Sequence, residues 1–399
     1  MIALLGFVLT LVALLVLVPA SVFFVETVCA RRGSLVAPTA SEGPRPRLAV
    51  LVPAHDEAAG IAASLATIAP QLLTGDRLLV VADNCSDDTA VIAAAAGAEA
   101  IRRDEPGRRG KGYALDFGVR HLQADAPEVV VIVDADCVLH ACSLDRLTAM
   151  CIASGRPTQA LYLMRSPAGA ALSTRISEFA WAVRNHVRPL GALRLGVPCQ
   201  LMGTGMAFPW PVIARAPLAS GHLVEDMCLG LDLAAAGTPP LFCPDALVTS
   251  TFAAKADGLA SQRARWEHGH LGVIAKRAPW ALAQAFRTGD APFAGMVLDL
   301  CVPPLASLVL LLVTGALAGL ALLALGGEGA PLSVFALALS LVSIGVGVAW
   351  RRFGRPIVSL RDLAGVPGYV VSKLPLYWRA LRGRQASWVR TDRDDVAPK

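Results

Sequence analysis

The sequence contains few charged residues. They make up 17% of its 399 residues, whereas apolar residues make up 55%. Ordinary soluble domains carry about 25% charged residues. The shortage is concentrated towards the two ends of the chain, and no residue from Ile2 to Val25 is charged. This distribution argues against an ordinary soluble protein and indicates apolar helices that cross a membrane.

Closely spaced cysteine pairs are also missing, because none of the nine cysteines belongs to a C-x-x-C motif. This argues against a zinc site and against a disulfide framework, and it is typical of a reducing compartment. The net charge of +5 is modest, and the basic residues cluster near the apolar runs. We therefore expect the membrane, and no nucleic acid, as a partner.

Three apolar runs are long enough to cross a bilayer as helices, which takes about 20 residues. Arg31 and Arg32 follow the first run, and a series of basic residues follows the last. Positive charge marks the cytoplasmic side of a span. We predict a multi-pass protein of the cell inner (plasma) membrane whose central domain and tail lie in the cytoplasm. The predicted parts are a transmembrane helix at 1–26, a linker at 27–46, a catalytic domain at 47–278, and a membrane region at 279–399 with spans at about 305–325 and 331–350 and interfacial helices at 279–293 and 360–382.

The central domain alternates short apolar runs with segments of helix length. The runs at 48–53, 78–82 and 128–133 lack the alternation of a half-exposed strand, and helical segments separate them. This pattern predicts a parallel sheet covered on both faces. Ligands bind beyond the carboxyl ends of such strands. Acidic residues follow all three runs, which predicts a site at that edge: Glu57, Asp83, Asp134 and Asp136.

The pair Asp134-Ala-Asp136 directly follows the third strand. A turn there can aim both carboxylates at one hard divalent cation, which takes oxygen ligands and often keeps substrate phosphates as others. A D-x-D pair also occurs by chance in ordinary turns. Its position after a buried strand favours the metal site.

A glycine-rich basic loop spans Gly107 to Gly112 and includes Lys111. It excludes a P-loop ATPase, because Gly112 stands where Ser or Thr follows the lysine of a Walker motif. The loop leads into a helix, which suits contact with a diphosphate. A solvated basic turn explains the pattern equally well.

Two further acidic residues, Glu225 and Asp226, open a predicted helix. They either complement the helix dipole or supply a general base for an acceptor hydroxyl. Upstream, the glycines of Gly203-Thr204-Gly205 permit close approach of a ligand to the backbone.

The motif Gln262-x-x-Arg265-Trp266 lies on a predicted helix. Gln262 and Arg265 share one face. Arginine suits a pyrophosphate, and the indole of Trp266 offers a flat surface to a sugar ring. A basic and aromatic stretch at a membrane interface is the alternative explanation.

Taken in this order, the motifs resemble those of the family 2 glycosyltransferases, in particular the membrane-bound branch related to cellulose, chitin and hyaluronan synthases. The similarity covers about residues 45–275. Asp56 departs from the pattern, since relatives often carry Asn there. The matching residues are Pro53–Glu57, Asp83, Lys111-Gly112, Asp134-Ala-Asp136, Gly203-Thr-Gly205, Glu225-Asp226 and Gln262-x-x-Arg265-Trp266.

The resemblance implies an α/β protein with the GT-A fold, which is a Rossmann-like domain with a mostly parallel sheet, here joined to transmembrane and interfacial helices. It implies that Asp136 binds Mg²⁺ or Mn²⁺. It also implies that Asp226 is the catalytic base. It further implies donor contacts at Glu57, Asp83, Lys111, Asp134, Gln262, Arg265 and Trp266, and acceptor contacts at Gly203, Thr204, Gly205, Glu225 and Trp266.

The expected reaction moves a sugar, with inversion, from a UDP-sugar to a lipid-linked or glycan acceptor in exopolysaccharide or cell-envelope glycan synthesis. A small processive polysaccharide synthase is the alternative within the family. A nucleotidyltransferase is the alternative from another class, because it shares a Rossmann-like half and an acidic metal site.

Overall fold

The computed structural model describes residues 1–31, 45–221, 224–252, 256–372 and 374, with only the backbone of 256–265 and 372. Most of the predicted linker at 27–46, and residues 373 and 375–382 of the predicted interfacial segment at 360–382, lie outside these residues. Contacts group the described residues into two compact units. The sheet domain comprises residues 45–168 and 198–269, and the helical unit comprises residues 1–31, 169–197 and 270–372.

The described residues contain eight strands and fourteen α-helices. The strands are β1 (Leu48–Ala54), β2 (Arg77–Asp83), β3 (Glu99–Arg103), β4 (Val129–Ile132), β5 (Val138–Leu139), β6 (Thr158–Arg165), β7 (Met206–Pro209) and β8 (Leu241–Thr251). The helices are α1 (Ile2–Cys29), α2 (Ile61–Ile68), α3 (Thr89–Ala95), α4 (Lys111–Leu122), α5 (Ser143–Ser154), α6 (Leu172–Ala182), α7 (Arg188–Arg194), α8 (Trp210–Ile213), α9 (Glu225–Ala235), α10 (Ala256–Thr288), α11 (Ala291–Leu300), α12 (Leu305–Ala324), α13 (Ala330–Ala349) and α14 (Val366–Ser372).

The sheet domain is built on one eight-stranded sheet with the order β3-β2-β1-β4-β7-β6-β8-β5. Strands β3, β2, β1 and β4 are mutually parallel, as predicted for the apolar runs that form β1, β2 and β4, whereas β3 was not predicted. Strand β7 runs antiparallel to both β4 and β6, β6 and β8 are parallel, and β5 is antiparallel to β8. The predicted mostly parallel α/β sheet is therefore confirmed, with antiparallel pairs in its second half.

Burial explains why β1 and β4 carry no polar residues. Every residue of β4 is buried, and so is every residue of β1 except Pro53. Helix α4 packs on this half of the sheet through Ala114, Leu115 and Val119. Because α4 begins at Lys111, this packing fixes the basic loop beside the carboxyl ends of the strands.

Three helices of the helical unit are long and apolar enough to cross a membrane, namely α1, α12 and the helix Ala330–Gly354 that contains α13. Their positions match the spans predicted at 1–26, 305–325 and 331–350, and α1 packs mainly against α13. That they cross a membrane stays a prediction. The predicted interfacial segment at 279–293 falls on the end of α10 and the start of α11.

Residues 169–197 lie within the range predicted for the catalytic domain, yet their contacts group them with the apolar helices. Helices α6 and α7 join through one π-helical stretch at Val183–Val187. Arg188 on α7 is buried, and its Nε donates to Glu26 Oε2 on α1 at 2.7 Å. Its Nη2 donates to the Asp299 carboxylate at 2.5 Å and to the Asp299 carbonyl at 2.8 Å. We call these three residues the Arg188 cluster, which ties α7 to α1 and α11.

Candidate active site

The ends of β1 and β2 are held together by polar contacts. His55 Nδ1 lies 2.6 Å from the carbonyl oxygen of Asp83, and Asp56 Oδ1 accepts a hydrogen bond from the Ser86 amide at 2.6 Å. Asp56 has a φ of 52°, in the left-handed region that Asn and Asp tolerate better than most residues. The Glu57 amide donates to Thr89 Oγ1 at 2.8 Å. These contacts fix the predicted donor residues Glu57 and Asp83 on neighbouring strand ends.

Asp83 is buried and ion-paired. Its Oδ1 accepts hydrogen bonds from Arg103 Nη1 at 2.5 Å and from Asn84 Nδ2 at 2.9 Å. Arg103 closes β3, and sequence reasoning did not single it out. A carboxylate at the end of a buried strand needs a cationic or hydrogen-bonding partner. A search of the sequence for such a partner of Asp83 could therefore have pointed to this arginine.

Asp134 and Asp136 form a turn directly after β4. The Asp134 amide donates to Thr204 Oγ1 at 3.0 Å, and the Cys137 amide donates to the Asp134 carbonyl at 3.1 Å. Ligand atoms of Asp134, Asp136 and Cys137 all lie within 4.8 Å of one another. Burial, followed by the charges of Asp136 and Asp134, raises the pKa of the Cys137 thiol well above its ordinary value. Two carboxylates beside a protonated thiol suit a hard cation such as Mg²⁺ or Mn²⁺.

Lys111 reaches from the start of α4 into this turn. Its ammonium forms an ion pair with Asp134 and donates to the carbonyl of Gly203 at 2.8 Å. Burial lowers the pKa of Lys111, but the carboxylates of Asp134, Glu225 and Asp226 outweigh it and raise the pKa above the ordinary value. The lysine therefore stays charged.

Gly112 is a glycine because the chain passes too close for a side chain. A Cβ there would lie 2.4 Å from the carbonyl oxygen of Leu218 and 2.7 Å from that of Ser220. Leu218 and Ser220 belong to the segment that leads towards α9. The Lys111-Gly112 pair thus couples the basic loop to the chain preceding Glu225.

The Gly203-Thr204-Gly205 segment lies behind the metal-ligand turn. Thr204 is fully buried, and its Oγ1 holds the Asp134 amide. Gly205 has a φ of +66°, and a Cβ there would lie 2.8 Å from both Ala160 Cβ and Val248 Cγ2. The acceptor contacts predicted for this segment stay predictions. The described contacts of Thr204 and Gly205 serve to position the turn.

Glu225 and Asp226 are half-buried in the first turn of α9. A Cβ built on Gly203 would lie 3.4 Å from Asp226 Oδ2 and 3.6 Å from Lys111 Nζ. Burial, followed by the charge of Asp226, raises the pKa of Glu225 to about 7. The predicted acid pair thus lies beside Lys111, next to Asp134.

The Q-x-x-R-W motif lies on α10, as predicted. The side chains of Gln262 and Arg265 are outside the described part of the structure, and that of Trp266 is half-buried. One turn further on, a Cβ on Gly269 would lie 2.6 Å from Val224 Cγ1. This close approach brings α10 against the residue that precedes Glu225.

The family of the chain follows from its sequence match. A family model described as glycosyltransferase like family 2 matches residues 44–269, more than half of the chain. The chain belongs to this family. The prediction of a family 2 glycosyltransferase is confirmed, and the nucleotidyltransferase alternative falls away because the match is to glycosyltransferases.

The individual relatives match only part of this chain, at about 30% identity. A glucosyl-3-phosphoglycerate synthase of Mycolicibacterium paratuberculosis is 31% identical over 198 residues, which cover 45% of this chain and 57% of that protein. An uncharacterised glycosyltransferase of Mycobacterium bovis is 29% identical over 190 residues, which cover 44% of this chain and 81% of that protein. This family 2 chain therefore spans little more than half the length of the first relative.

A mannosyltransferase from Pyrobaculum calidifontis, solved in complex with GDP-Man and Mn²⁺, shares the fold. Its TM-score is 0.60 at 20% identity, covering 96% of this chain and 99% of that chain. At this identity the likeness shows the fold alone, and it confirms the predicted GT-A class.

Proposed function

We propose that this protein transfers a sugar from a nucleoside diphosphate sugar to a hydroxyl oxygen of a membrane-associated acceptor, with inversion at the anomeric carbon. One observation carries the proposal. At the carboxyl ends of the parallel strands, the Asp134–Asp136 turn, the ammonium of Lys111 and the acid pair that opens α9 lie beside one another.

The donor is held at the ends of β1, β2 and β4. Glu57 and Asp83 face the nucleoside, and the polar contacts of their strand ends fix their positions. The carboxylates of Asp134 and Asp136 fit Mg²⁺ or Mn²⁺, which neutralises charge on the departing diphosphate when bound. Lys111 supplies a further positive charge, and Gln262, Arg265 and Trp266 complete the donor side.

The acceptor reacts beside the start of α9. Its oxygen attacks the anomeric carbon, the bond from that carbon to the diphosphate oxygen breaks, and Asp226 takes the proton of an acceptor hydroxyl. Glu225 lies next to Asp226 and binds a proton more tightly than an ordinary glutamate. The acid pair therefore keeps a proton at lower pH, and Asp226 serves as the base when that proton is released.

The relatives support this reaction in part. The name of the first relative describes glucosyl transfer to phosphoglycerate, and the mannosyltransferase was solved with GDP-Man and Mn²⁺. These names support a nucleoside diphosphate sugar as the donor, together with a divalent cation. They do not decide which nucleobase the donor carries. We propose uridine, since the acidic residues of the strand ends resemble those that contact UDP in family 2 enzymes.

The acceptor is proposed to be lipid-linked, because the same chain carries three helices that are long and apolar enough to cross a membrane. Basic residues at Arg31-Arg32 and after Trp350 place the sheet domain and the tail in the cytoplasm. Reporter fusions after Arg47 and after Lys399 are expected to report the cytoplasm. A signal from the opposite side at either position would contradict the topology.

Purified full-length protein in lipid nanodiscs, incubated with Mn²⁺ and single nucleotide sugars, tests the activity. We expect release of UDP, and not of pyrophosphate, together with a glycosylated lipid detected by mass. Arg120→Gln, which removes an exposed charge far along α4, is the matched control and is expected to behave as wild type. Products of many sugar units would favour the processive alternative. No release of nucleoside diphosphate from any UDP- or GDP-sugar, with membrane lipids present, would contradict the proposed function.

A further inference from the structure

The ammonium of Lys111 is ion-paired with Asp134, one of the two carboxylates that could hold a divalent cation. We propose that its ammonium is a stand-in cation, which holds the Asp134 carboxylate in the metal-free enzyme and is displaced from it when the divalent cation binds. The proposal rests on the proposed function, because it concerns the same metal site. In this proposal Lys111 positions the Asp134 carboxylate in the metal-free enzyme, and it contacts the donor only after the metal has bound.

The geometry places the ammonium and the cation in competition. Lys111 is ion-paired with Asp134 Oδ1, and the ligand atoms of Asp134 and Asp136 lie within 4.8 Å of each other. A divalent cation held by these two carboxylates would share the negative charge of Asp134 with the ammonium of Lys111, and the two positive charges would repel each other at this distance.

Lys111 lies among acidic side chains. The carboxylates of Asp134, Glu225 and Asp226 all act on its ammonium, and Asp136 lies beside Asp134 in the turn. Carboxylates that lie close together repel one another in a partly dry site, and a nearby positive charge reduces that repulsion. The ammonium therefore keeps the turn after β4 in a shape that is ready for the metal.

The side chain also has an alternative position after displacement. Its second contact is to the Gly203 carbonyl at 2.8 Å, which involves no carboxylate and is compatible with a bound cation. A lysine on a flexible four-carbon stem can swing between partners, whereas the planar fork of arginine is more restricted. Displacement by the metal frees the ammonium to meet the diphosphate of the donor, so metal and donor are expected to bind in that order.

Titration of Mn²⁺ alone tests the exchange, with free Mn²⁺ measured by electron paramagnetic resonance on the full-length protein. Lys111→Gln removes the competitor and is expected to bind Mn²⁺ about tenfold more tightly than wild type. Arg120→Gln removes the same charge from the same helix at an exposed position and is expected to match wild type. The tightening should persist at high salt, because screening removes long-range effects but not a direct contact.

Equal or weaker Mn²⁺ binding by Lys111→Gln would overturn the proposal, and so would a gain that vanishes at high salt. Failure of the wild type to bind Mn²⁺ even with UDP would instead count against the proposed function.

The wild-type protein offers a second test that does not depend on the variant folding. Reductive methylation of Lys111, measured by peptide mass against the exposed Lys276, is expected to rise severalfold when Mn²⁺ is added without nucleotide. Unchanged labelling of Lys111 at saturating Mn²⁺ would overturn the exchange.

Discussion

The Arg188 cluster of the helical unit and the group around Lys111 in the sheet domain are both built from carboxylates and one basic side chain. In the Arg188 cluster, one guanidinium is matched by two carboxylates and a carbonyl. The group around Lys111, which we call the Lys111 cluster, sets one ammonium against the carboxylates of Asp134, Asp136, Glu225 and Asp226. The side chain of Arg188 is 8% exposed, whereas those of Lys111 and Asp134 are 21% and 30% exposed.

The difference separates a structural cluster from a reactive one. A buried, ion-paired cluster fixes the elements that carry it and is closed to solvent. A partly exposed cluster of carboxylates is open to a cation from solvent. The Lys111 cluster therefore has the properties of a binding site, and the Arg188 cluster has those of a tie between helices.

Removing the predicted metal ligand gives the largest expected effect. Asp136→Asn should lower transferase activity by about three orders of magnitude or more, because a cation held at this turn contributes several kcal/mol to catalysis. Release of nucleoside diphosphate measures the loss, and a thermal melting curve confirms folding. Asp116→Asn, on α4 outside the cluster, should retain activity. Full activity of the wild-type protein in EDTA would contradict the assignment of a metal to this site.

Removing the predicted base has the next largest effect. Asp226→Asn should reduce turnover by about 10²- to 10⁴-fold, the usual contribution of a general base. Its affinity for UDP with Mn²⁺ should stay near that of wild type, because the base acts on the acceptor. Calorimetric titration of UDP compares the two proteins. Loss of UDP affinity without a loss of turnover would assign Asp226 to the donor instead.

Both variants probe residues that could be found from the sequence, because local pattern carries the signal there. The apolar runs of β1, β2 and β4 have no alternation, and their ends are acidic, so the edge of the sheet and its carboxylates were predictable. Helix α9 likewise begins where the Glu225-Asp226 pair predicts. The order of strands β7, β6 and β8 was not predictable, since it depends on pairings between residues far apart in the chain.

The partners of the charged residues were also beyond sequence reasoning. Arg103 pairs with Asp83 across 20 residues, and Arg188 meets Glu26 across 162. Nothing in the local sequence of α7 indicates that it would join the apolar helices. Only the three-dimensional arrangement shows that Lys111 already has a carboxylate partner at Asp134.

Breaking the Arg188 cluster should cost stability and leave the chemistry of the folded protein intact. Arg188→Met leaves the buried carboxylates of Glu26 and Asp299 without their cation, which should destabilise the helical unit by about 3–5 kcal/mol. Thermal unfolding in nanodiscs measures this loss. Arg194→Gln is the matched control, because Arg194 makes one exposed hydrogen bond to the Arg31 carbonyl at 3.2 Å. Equal melting temperatures for the two variants would show that the Arg188 cluster does not tie the helices.

The smallest expected effect is a pH dependence confined to the Lys111 cluster. Burial and the charge of Asp226 raise the pKa of Glu225 from 4.5 to about 7. The folded protein therefore keeps a proton that the unfolded chain releases between about pH 4.5 and 7, so the free energy of unfolding should fall as the pH rises through this window. Glu225→Gln cannot lose that proton. In EDTA it should be more stable than wild type above pH 7 by about 1 kcal/mol, well below the value for the full shift, because water screens a half-buried carboxylate.

Chemical denaturation at several pH values measures this difference, with the exposed Glu128→Gln as the control that should follow wild type. Parallel pH profiles for Glu225→Gln and wild type would mean that Lys111 already balances the acid pair. The contrast between the two clusters would then rest on exposure alone.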